Sequence, residues 1–457
     1  MSSITKRSKY EIDMCNGTIM DKLISFSLPL MLSGILQLMF NAVDIIVIGR
    51  FSGSQSLAAV GSTTALINMF TNLFIGISLG ANVLSARFYA AGKDKEMSET
   101  VHTAITLALI SGIIMVFVGL IFAKPVLELM DTPDDVINLS TLYMRIYFMG
   151  MPFFMLYNYG ASILRAVGDT KRPLFYLIVA GIANAGLNMC LVIIFHLGVA
   201  GVAIGTVISQ LISSILVLRC LYQSETSYQL RFSKLKIQKE YLKQIFQVGI
   251  PAGIQSTVIN FSNVLLQSSV NSFGSIAMAG YTAANNIFGF LYVTVNAVTQ
   301  ACMSFTSQNY GVGKWKRMDR VLIDCLILSF VAMMILGNSA YFFGPKLLTI
   351  YTSNSKVIQC GMEILLYTTV TYFLCGFMDL FPGALRGMGR SGVPMILSII
   401  GTVGTRIVWI FWIFPNHRSL DILFISYPAS WIITIVLQVI CYYFVRKQLY
   451  AKMRAEA

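Results

Sequence analysis

Twelve apolar stretches of about 20 residues, each bounded by charge, proline or glycine, run the length of this chain. They fall at 23–48, 57–85, 99–123, 136–160, 174–195 and 199–220, then at 244–270, 280–307, 321–343, 358–383, 393–414 and 421–445. About 20 residues of helix cross the hydrocarbon of a bilayer. Inside lipid each backbone N–H and C=O must find its partner within the protein, which a helix does on its own. The sequence therefore predicts an all-α polytopic membrane protein with twelve transmembrane helices. Composition agrees, because 56% of the residues are hydrophobic and only 12% charged, against about 25% charged in a soluble domain. No soluble fold of 457 residues hides that much apolar surface.

The formal net charge of +13 would suggest nucleic acid as a partner in a soluble protein. Here its location explains it. With the spans as read, 26 of the 33 Lys and Arg fall in segments on one side of the membrane. Arg50, Lys124, Lys346, Lys356 and Arg418 fall on the other, and Arg145 and Arg406 fall within spans. The positive-inside bias then puts both termini in the cytoplasm, with no nucleic-acid partner expected. No cleavable leader is expected ahead of the first span, which itself directs insertion. The eight Cys stand singly without a CxxC, as small apolar packing residues do.

The two halves repeat. "LRAVGDTKRP" (164–173) matches "LRGMGRSGVP" (385–394), and "FYAAGK" (88–93) matches "NYGVGK" (309–314), both at an offset of 221. "SLPLM" (27–31) faces "GIPAG" (249–253) at 222, and Pro125 faces Pro345 at 220. Four matches at nearly one offset mean a duplicated six-span unit. Six is even, so the copies share an orientation and form parallel repeats about an axis along the membrane normal. The expected organisation is an N-terminal six-helix lobe at 1–221, a polar cytoplasmic linker at 222–243 and a C-terminal six-helix lobe at 244–457. Pseudo-symmetric lobes of this kind usually enclose a central cavity and rock against one another.

Polar residues inside the spans are the candidates for chemistry. In "LQLMFNAVDIIVIGR" (36–50), Gln37, Asn41 and Asp44 share a helical face that Ser33 extends. Leu36, Met39, Phe40, Val43, Ile46 and Val47 form the opposite face. A carboxylate at mid-bilayer costs roughly 2.5–3.5 kcal/mol on insertion scales. That cost calls for water, a bound cation or a protonated acid. Asn184 and Asn188, four apart in the fifth span, offer amide oxygens to a hard cation such as Na⁺ or hydrogen bonds to a protonated Asp44. In the second half, Ser256, Asn260, Asn263, Gln267 and Asn271 make a similar stripe. Asn263 aligns with Asn41, whereas Leu266 aligns with Asp44, so the second copy keeps a wet face and lacks the acid. Asp379 and Arg406 are two further charges deep in spans, and Pro382 is expected to kink the tenth span. The residues expected to line the substrate cavity are Asn260, Asn263, Gln267, Asp379 and Arg406. Phe148, Met149, Met151, Phe153, Phe154, Met155, Tyr157 and Tyr159 cluster on one span, a composition that suits apolar packing first and adaptable ligand contact second.

Enzyme signatures are missing or misplaced. His102, His196 and His417 stand alone, and no GxxxxGK[ST] is present. "GISLG" (76–80) matches GxSxG but lies inside an apolar span, where small residues serve helix packing. Neither an enzyme nor a cofactor is expected.

"SLPLMLSGILQLMFNAVDIIVIG", "AAGKD", "LRAVGDTKRP", "FHLGVAGVAIGTVISQ" and "LRGMGRSGVP" followed by "TRIVWIFWIFP" resemble, in order and spacing over about 20–445, the multidrug and toxic compound extrusion (MATE) transporters, particularly the prokaryotic members. The resemblance implies two six-helix lobes in a V around a central cavity. It also implies export of cationic or amphipathic organic compounds in exchange for inward Na⁺ or H⁺. Asp44 matches the family's first-helix acid, and Asn184 resembles a fifth-helix Asn of the family. One turn on, many members carry a second acid where this chain has Asn188. Tyr143 and Thr206 fall where the family places further members of that cluster. In the second lobe some members use acids at positions resembling Ile259 or Asn260 and Cys375, with Asp379 one turn away as the candidate replacement.

The sequence thus points to a secondary-active exporter in the plasma membrane of a prokaryote. It is expected to act as a monomer on drug-like molecules among membrane lipid. Asp44, Asn41, Gln37, Asn184, Asn188, Thr206 and Tyr143 are expected at the ion-coupling site, with Na⁺ held by Asp44, Asn184 and Asn188 if Na⁺ is the coupling ion. The alternative is a flippase for a lipid-linked saccharide. Such a protein would call for several cavity-facing Arg or Lys, and only Arg145 and Arg406 qualify.

Overall fold

A computed structural model describes residues 9–130 and 132–456. Lys6 and Arg7 lie outside the described residues, as do the side chains of Lys452 and Arg454, all four counted above as cytoplasmic charges. Among the described residues there is no strand. The first half holds α1 (Met20–Phe51), α2 (Gly53–Ala90), α3 (Asp94–Leu129), α4 (Asp134–Met149), α5 (Met151–Ala166), α6 (Lys171–Asn188) and α7 (Gly198–Tyr222). The second holds α8 (Lys239–Asn271), α9 (Ser275–Gly311), α10 (Trp315–Phe342), α11 (Gly344–Thr349), α12 (Ser355–Thr369), α13 (Tyr372–Gly387), α14 (Gly392–Ser398), α15 (Thr405–Val408) and α16 (Leu420–Glu456). A π-helical turn, Met189–Ile194, prolongs α6, and two more, Ile399–Gly404 and Trp409–Ile413, flank the single turn of α15.

Each of the twelve expected spans lies on one helix or one run of helices. Among the described residues nine helices are long and apolar enough to cross a bilayer, and α12 with α13 makes a tenth as a pair bent by 44°. The other two depart for identifiable reasons. The fourth span breaks at Gly150, with Pro152 in the first turn of α5. The seventh, α8, is continuous but carries the Ser256–Asn260–Asn263–Gln267 stripe, which lowers its mean hydropathy. The tenth span does not break at Pro382, through which α13 runs. Its bend falls at 370–371, where the Thr371 hydroxyl donates to the Tyr367 carbonyl (2.7 Å) and competes with the helical ladder.

The duplication is visible in the turns. Gly53 and Gly274, Gly92 and Gly313, and Gly168 and Gly389 all have positive φ, from 65° to 97°. Only glycine enters that region without steric cost, so the offset of 221 read from the sequence marks equivalent turns.

Two compact units emerge. One comprises Leu28–Gly253 with the chain up to Met14, and the other comprises Cys15–Ser27 with Ile254 onward. The polar stretch 222–243 does not stand apart, because most of it packs into the first unit. His102 receives the Arg231 N–H on Nε2 (3.0 Å) while its Nδ1–H donates to the Ser98 carbonyl (2.6 Å). Thr103 Oγ1 accepts from the Gln238 N–H (3.2 Å). Glu11 takes the hydroxyls of Tyr89 and Tyr228, each at 2.6 Å. Burial and that carboxylate push the Tyr228 phenol above its ordinary pKa.

Close helix contacts in the first unit rest on glycine. A Cβ on Gly76 or Gly80 would strike the backbone of Gly253, Gly249 or Ile245, so "GISLG" is a helix-packing stripe. Gly112 and Gly119 let α3 lie against Pro152 and Phe148 in the same way. The second unit has its own core, in which Tyr281, Phe288, Ile364, Leu365, Phe424 and Trp431 are buried together.

Candidate functional site

In the first unit α1, α6 and α7 bring polar groups together within apolar surroundings. Asp44 is 8% exposed, Asn184 4% and Asn188 0%. The four-residue spacing of the two Asn places them one turn apart on α6. There Asn188 Nδ2 donates to Asp44 Oδ1 (2.5 Å) and to Asn184 Oδ1 (3.3 Å). Asn184 Nδ2 donates in turn to Thr206 Oγ1 on α7 (3.5 Å), and Thr206 also sits beside the Asp44 carboxyl. Tyr143 and Tyr147, one turn apart on α4, stand within electrostatic reach of that carboxylate.

Two glycines make the cluster possible. Gly205 of α7 faces Asn188, and any side chain there would run into the Asn188 amide oxygen. Gly181 of α6 receives the ring of Phe40 from α1. One acceptor stays open, since Asn188 Oδ1 is buried with no hydrogen-bond partner among the described residues. An unpaired buried amide oxygen next to a carboxylate is costly in water-free surroundings unless a cation or proton donor takes it up. The donor set is one carboxylate and two amide oxygens, with a hydroxyl beside them. All are hard oxygen ligands suited to an alkali cation.

Five of the expected residues, Asp44, Asn184, Asn188, Thr206 and Tyr143, are thus brought together. Gln37 and Asn41 are not part of the cluster, because both are exposed and neither hydrogen-bonds to it. The sequence reading set Phe40 and Val47 on the face away from Asp44. The structure packs both beside the core, with Val47 only 5% exposed. Asp44 therefore lies on a seam, with half-buried Phe40 and buried Val47 on one side of it and exposed Gln37 and Asn41 on the other. The dividing line of the helix runs through the acid, which a two-face reading cannot resolve. Tyr147 and Gln210 border the site and were missed. Their signal was present, since each sits four residues after an expected member, Tyr143 or Thr206.

The expected polar residues of the second unit separate into two groups. Arg406 on α15 is 3% exposed. It donates from Nη1 to Asn263 Oδ1 (2.8 Å) and Ser262 Oγ (3.4 Å) on α8, and its guanidinium lies 4.6 Å from the Tyr427 ring centroid. Asp379 is half-buried on α13, near Tyr292 and Arg386. Arg386 donates to Gln255 Oε1 (2.7 Å). No ion pair joins Asp379 to Arg406 among the described residues. Asn260 is exposed, and Gln267 is bonded to its neighbour Asn271 (3.0 Å). Of the aromatic and Met cluster, Phe148, Met151, Met155 and Tyr159 are wholly buried core, while Met149 is 56% exposed.

Comparison with known proteins gives this geometry a context. A family model described as MatE matches residues 29–190 and again 251–412. The chain is 30% identical over 434 residues to "Probable multidrug resistance protein YoeA" of Bacillus subtilis (strain 168), covering 93% of each. It is 23% identical over 380 residues to "Multidrug export protein MepA" of Staphylococcus aureus (strain NCTC 8325 / PS 47), covering 83% of this chain and 84% of that one. Among solved structures it is similar to "Outward-facing conformation of a multidrug resistance MATE family transporter of the MOP superfamily", with a TM-score of 0.89 at 20% identity over 98% of this chain and 100% of that one. The two family matches begin and end 222 residues apart. In that register Arg406 stands where Asn184 stands, Asn263 where Asn41 stands, and Leu266 where Asp44 stands.

Proposed function

The chain belongs to the MatE family of multidrug efflux transporters, and from that premise we propose that it is a secondary-active exporter driven by inward flow of Na⁺ or H⁺ through the Asp44 site. It is a multi-pass membrane protein. The observation that carries the reading is the buried Asp44 carboxylate, bonded to an Asn188 whose own oxygen has no partner among the described residues. A cation arriving there would meet the carboxylate, the open Asn188 oxygen and Asn184 Oδ1. A proton arriving instead would neutralise the carboxylate while the amides keep their bonds. Either occupant removes a charge from a low-dielectric interior, which is the step that can be tied to a change of access.

Exported compounds are proposed to be organic and amphipathic, cationic ones among them. The membrane is proposed to be the plasma membrane of a prokaryote. The excess of Lys and Arg on one side supports cytoplasmic termini. The test is uptake of a fluorescent cationic dye, rhodamine 6G, into proteoliposomes with an imposed Na⁺ gradient or, separately, an imposed pH gradient. One gradient should drive uptake in the native protein, and Asp44→Asn should reduce it to the level of protein-free vesicles while the variant still elutes as a folded monodisperse species. Full gradient-driven uptake by Asp44→Asn removes the acid from the mechanism.

A further inference from the structure

The second unit carries a charge that the export cycle above does not use. Arg406 lies near the middle of its span, buried, with no carboxylate at ion-pair distance among the described residues. Among the described residues, of its five N–H groups only those on Nη1 have acceptors, both of them neutral, while Nε is buried without a partner and Nη2 makes no hydrogen bond. A buried guanidinium normally has a carboxylate or a full set of acceptors, because an uncompensated charge is expensive away from water. Here the surroundings are shaped instead. Asn263 fixes one edge of the fork, and the Tyr427 ring covers a face. The Tyr281 and Tyr427 hydroxyls are bonded to each other (2.8 Å) close by. The π-helical turns Ile399–Gly404 and Trp409–Ile413 widen the helix on both sides of the residue, and such turns are frequent at functional sites. The neighbouring α8 face offers exposed Asn260 and half-buried Asn263 as polar approach.

We propose that Arg406, held by Asn263 and Tyr427, is a binding site for an anionic group, a carboxylate or a phosphate, within the second unit. The unused N–H edge of a guanidinium matches two oxygens of such a group in a fork. If the anion belongs to exported cargo, the transporter accepts zwitterionic and anionic amphiphiles as well as cations. That last step rests on the export reading, whereas the site itself does not. A phospholipid phosphate has the same chemistry and is the other source.

The experiment uses purified full-length protein in nanodiscs and two xanthene dyes of similar shape, carboxyfluorescein (anionic) and rhodamine 6G (cationic), with affinity read by fluorescence anisotropy. The native protein is expected to bind carboxyfluorescein. Asn263→Asp sets a carboxylate against the guanidinium, and this internal counter-ion should weaken carboxyfluorescein about tenfold to a hundredfold while raising thermal stability. Arg406→Gln should weaken it similarly, Arg406→Lys less, and rhodamine 6G should follow neither. If Arg406→Gln does not fold, Asn263→Asp still decides, because it keeps Arg406 in place. Carboxyfluorescein binding that appears in phosphate-free maltoside micelles and is lost on adding phosphatidylcholine identifies the lipid phosphate as the occupant; equal binding with and without the phospholipid identifies a soluble anion. Undetectable binding by the native protein, or unchanged affinity in Asn263→Asp, overturns the proposal. Neither result bears on the export reading, whose failure would show instead as gradient-driven uptake that survives Asp44→Asn.

Discussion

The fifth spans of the two units are built alike but belong to polar clusters of opposite charge. In the first, Asn184 and Asn188 meet the acid of α1, and a π-helical turn follows at Met189–Ile194. In the second, the register of the family match puts Arg406 at the place of Asn184, with Leu266 in place of the acid. The turns before the two fifth spans are 221 residues apart, as Gly168 and Gly389 show, whereas the ends of the family match are 222 apart. The second fifth span carries an extra π-helical turn at Ile399–Gly404, and Arg406 comes after it. A duplicated scaffold has thus kept its backbone device while exchanging a cation-attracting cluster for a cation of its own.

The largest expected effect tests whether the two sites differ in kind. Binding of Na⁺ to the folded protein alone raises its melting temperature with ion concentration. Asp44→Asn is expected to abolish any Na⁺-dependent rise, and Arg406→Gln to leave it intact. A melting series in NaCl against choline chloride measures both. If Arg406→Gln also removes the rise, the sites are not independent and the contrast between the units fails.

A smaller effect follows from the glycine that makes room for Asn188. Gly205→Ala places a methyl against the Asn188 amide oxygen. The amide must then turn, which disturbs the hydrogen bond to Asp44 and the open acceptor together. Ion affinity should fall about tenfold, roughly the worth of one charge-assisted hydrogen bond. Thr206→Val, which removes only the hydroxyl beside the carboxyl, should cost a few-fold. In the second unit the close contact is reversed, since Gly401 on the fifth span makes room for Thr434 on α16. Gly401→Ala should therefore disturb packing and leave ion affinity unchanged, as isothermal titration with Na⁺ would show.

Much of this was legible in the sequence, though not evenly. The twelve spans and the repeat could be read because hydrophobic length and turn glycines are local signals that lipid enforces strictly. Asp44, Asn184 and Asn188 could be read because a polar residue in a greasy helix is costly enough to stand out. What could not be read was which neighbours share a surface. Gln37 and Asn41 lie on the helical face of Asp44 yet stay exposed, because α6 covers the Phe40 side of the acid and not theirs. The linker gave no sign that His102 and Thr103 would receive it, since those contacts join residues more than 120 positions apart. Arg406 was visible as a charge, but its lack of an acid depends on where Asp379 ends up, and only the packed helices decide that.

The smallest expected effect lies in the matching turns "LRAVGDTKRP" and "LRGMGRSGVP", where charge is exchanged again. Asp169 stands where the second copy has Arg390, and Arg172 where it has Val393. Asp169 is 0% exposed. It accepts the backbone N–H of Arg172 (3.1 Å), which caps α6, and it pairs with the Arg172 guanidinium, which also lies over Tyr10. Arg390 is exposed and makes no ion pair among the described residues. Losing a cap costs about 0.5–2 kcal/mol, and a guanidinium left partly buried without its acid adds to that. Asp169→Ala should therefore lower the melting temperature by a few degrees, whereas Arg390→Ala, with no partner to lose, should stay within about 0.5 kcal/mol of the native protein. The two variants sit in equivalent turns of the two repeats, so an equal loss from both would mean that the turn itself, and not the brace across it, sets the stability of such turns. The asymmetry expected here ties tolerance of charge exchange to exposure. At Arg390 solvent screens the new charge, whereas at Arg406 no solvent does so, and a ligand must supply what the missing acid would have given.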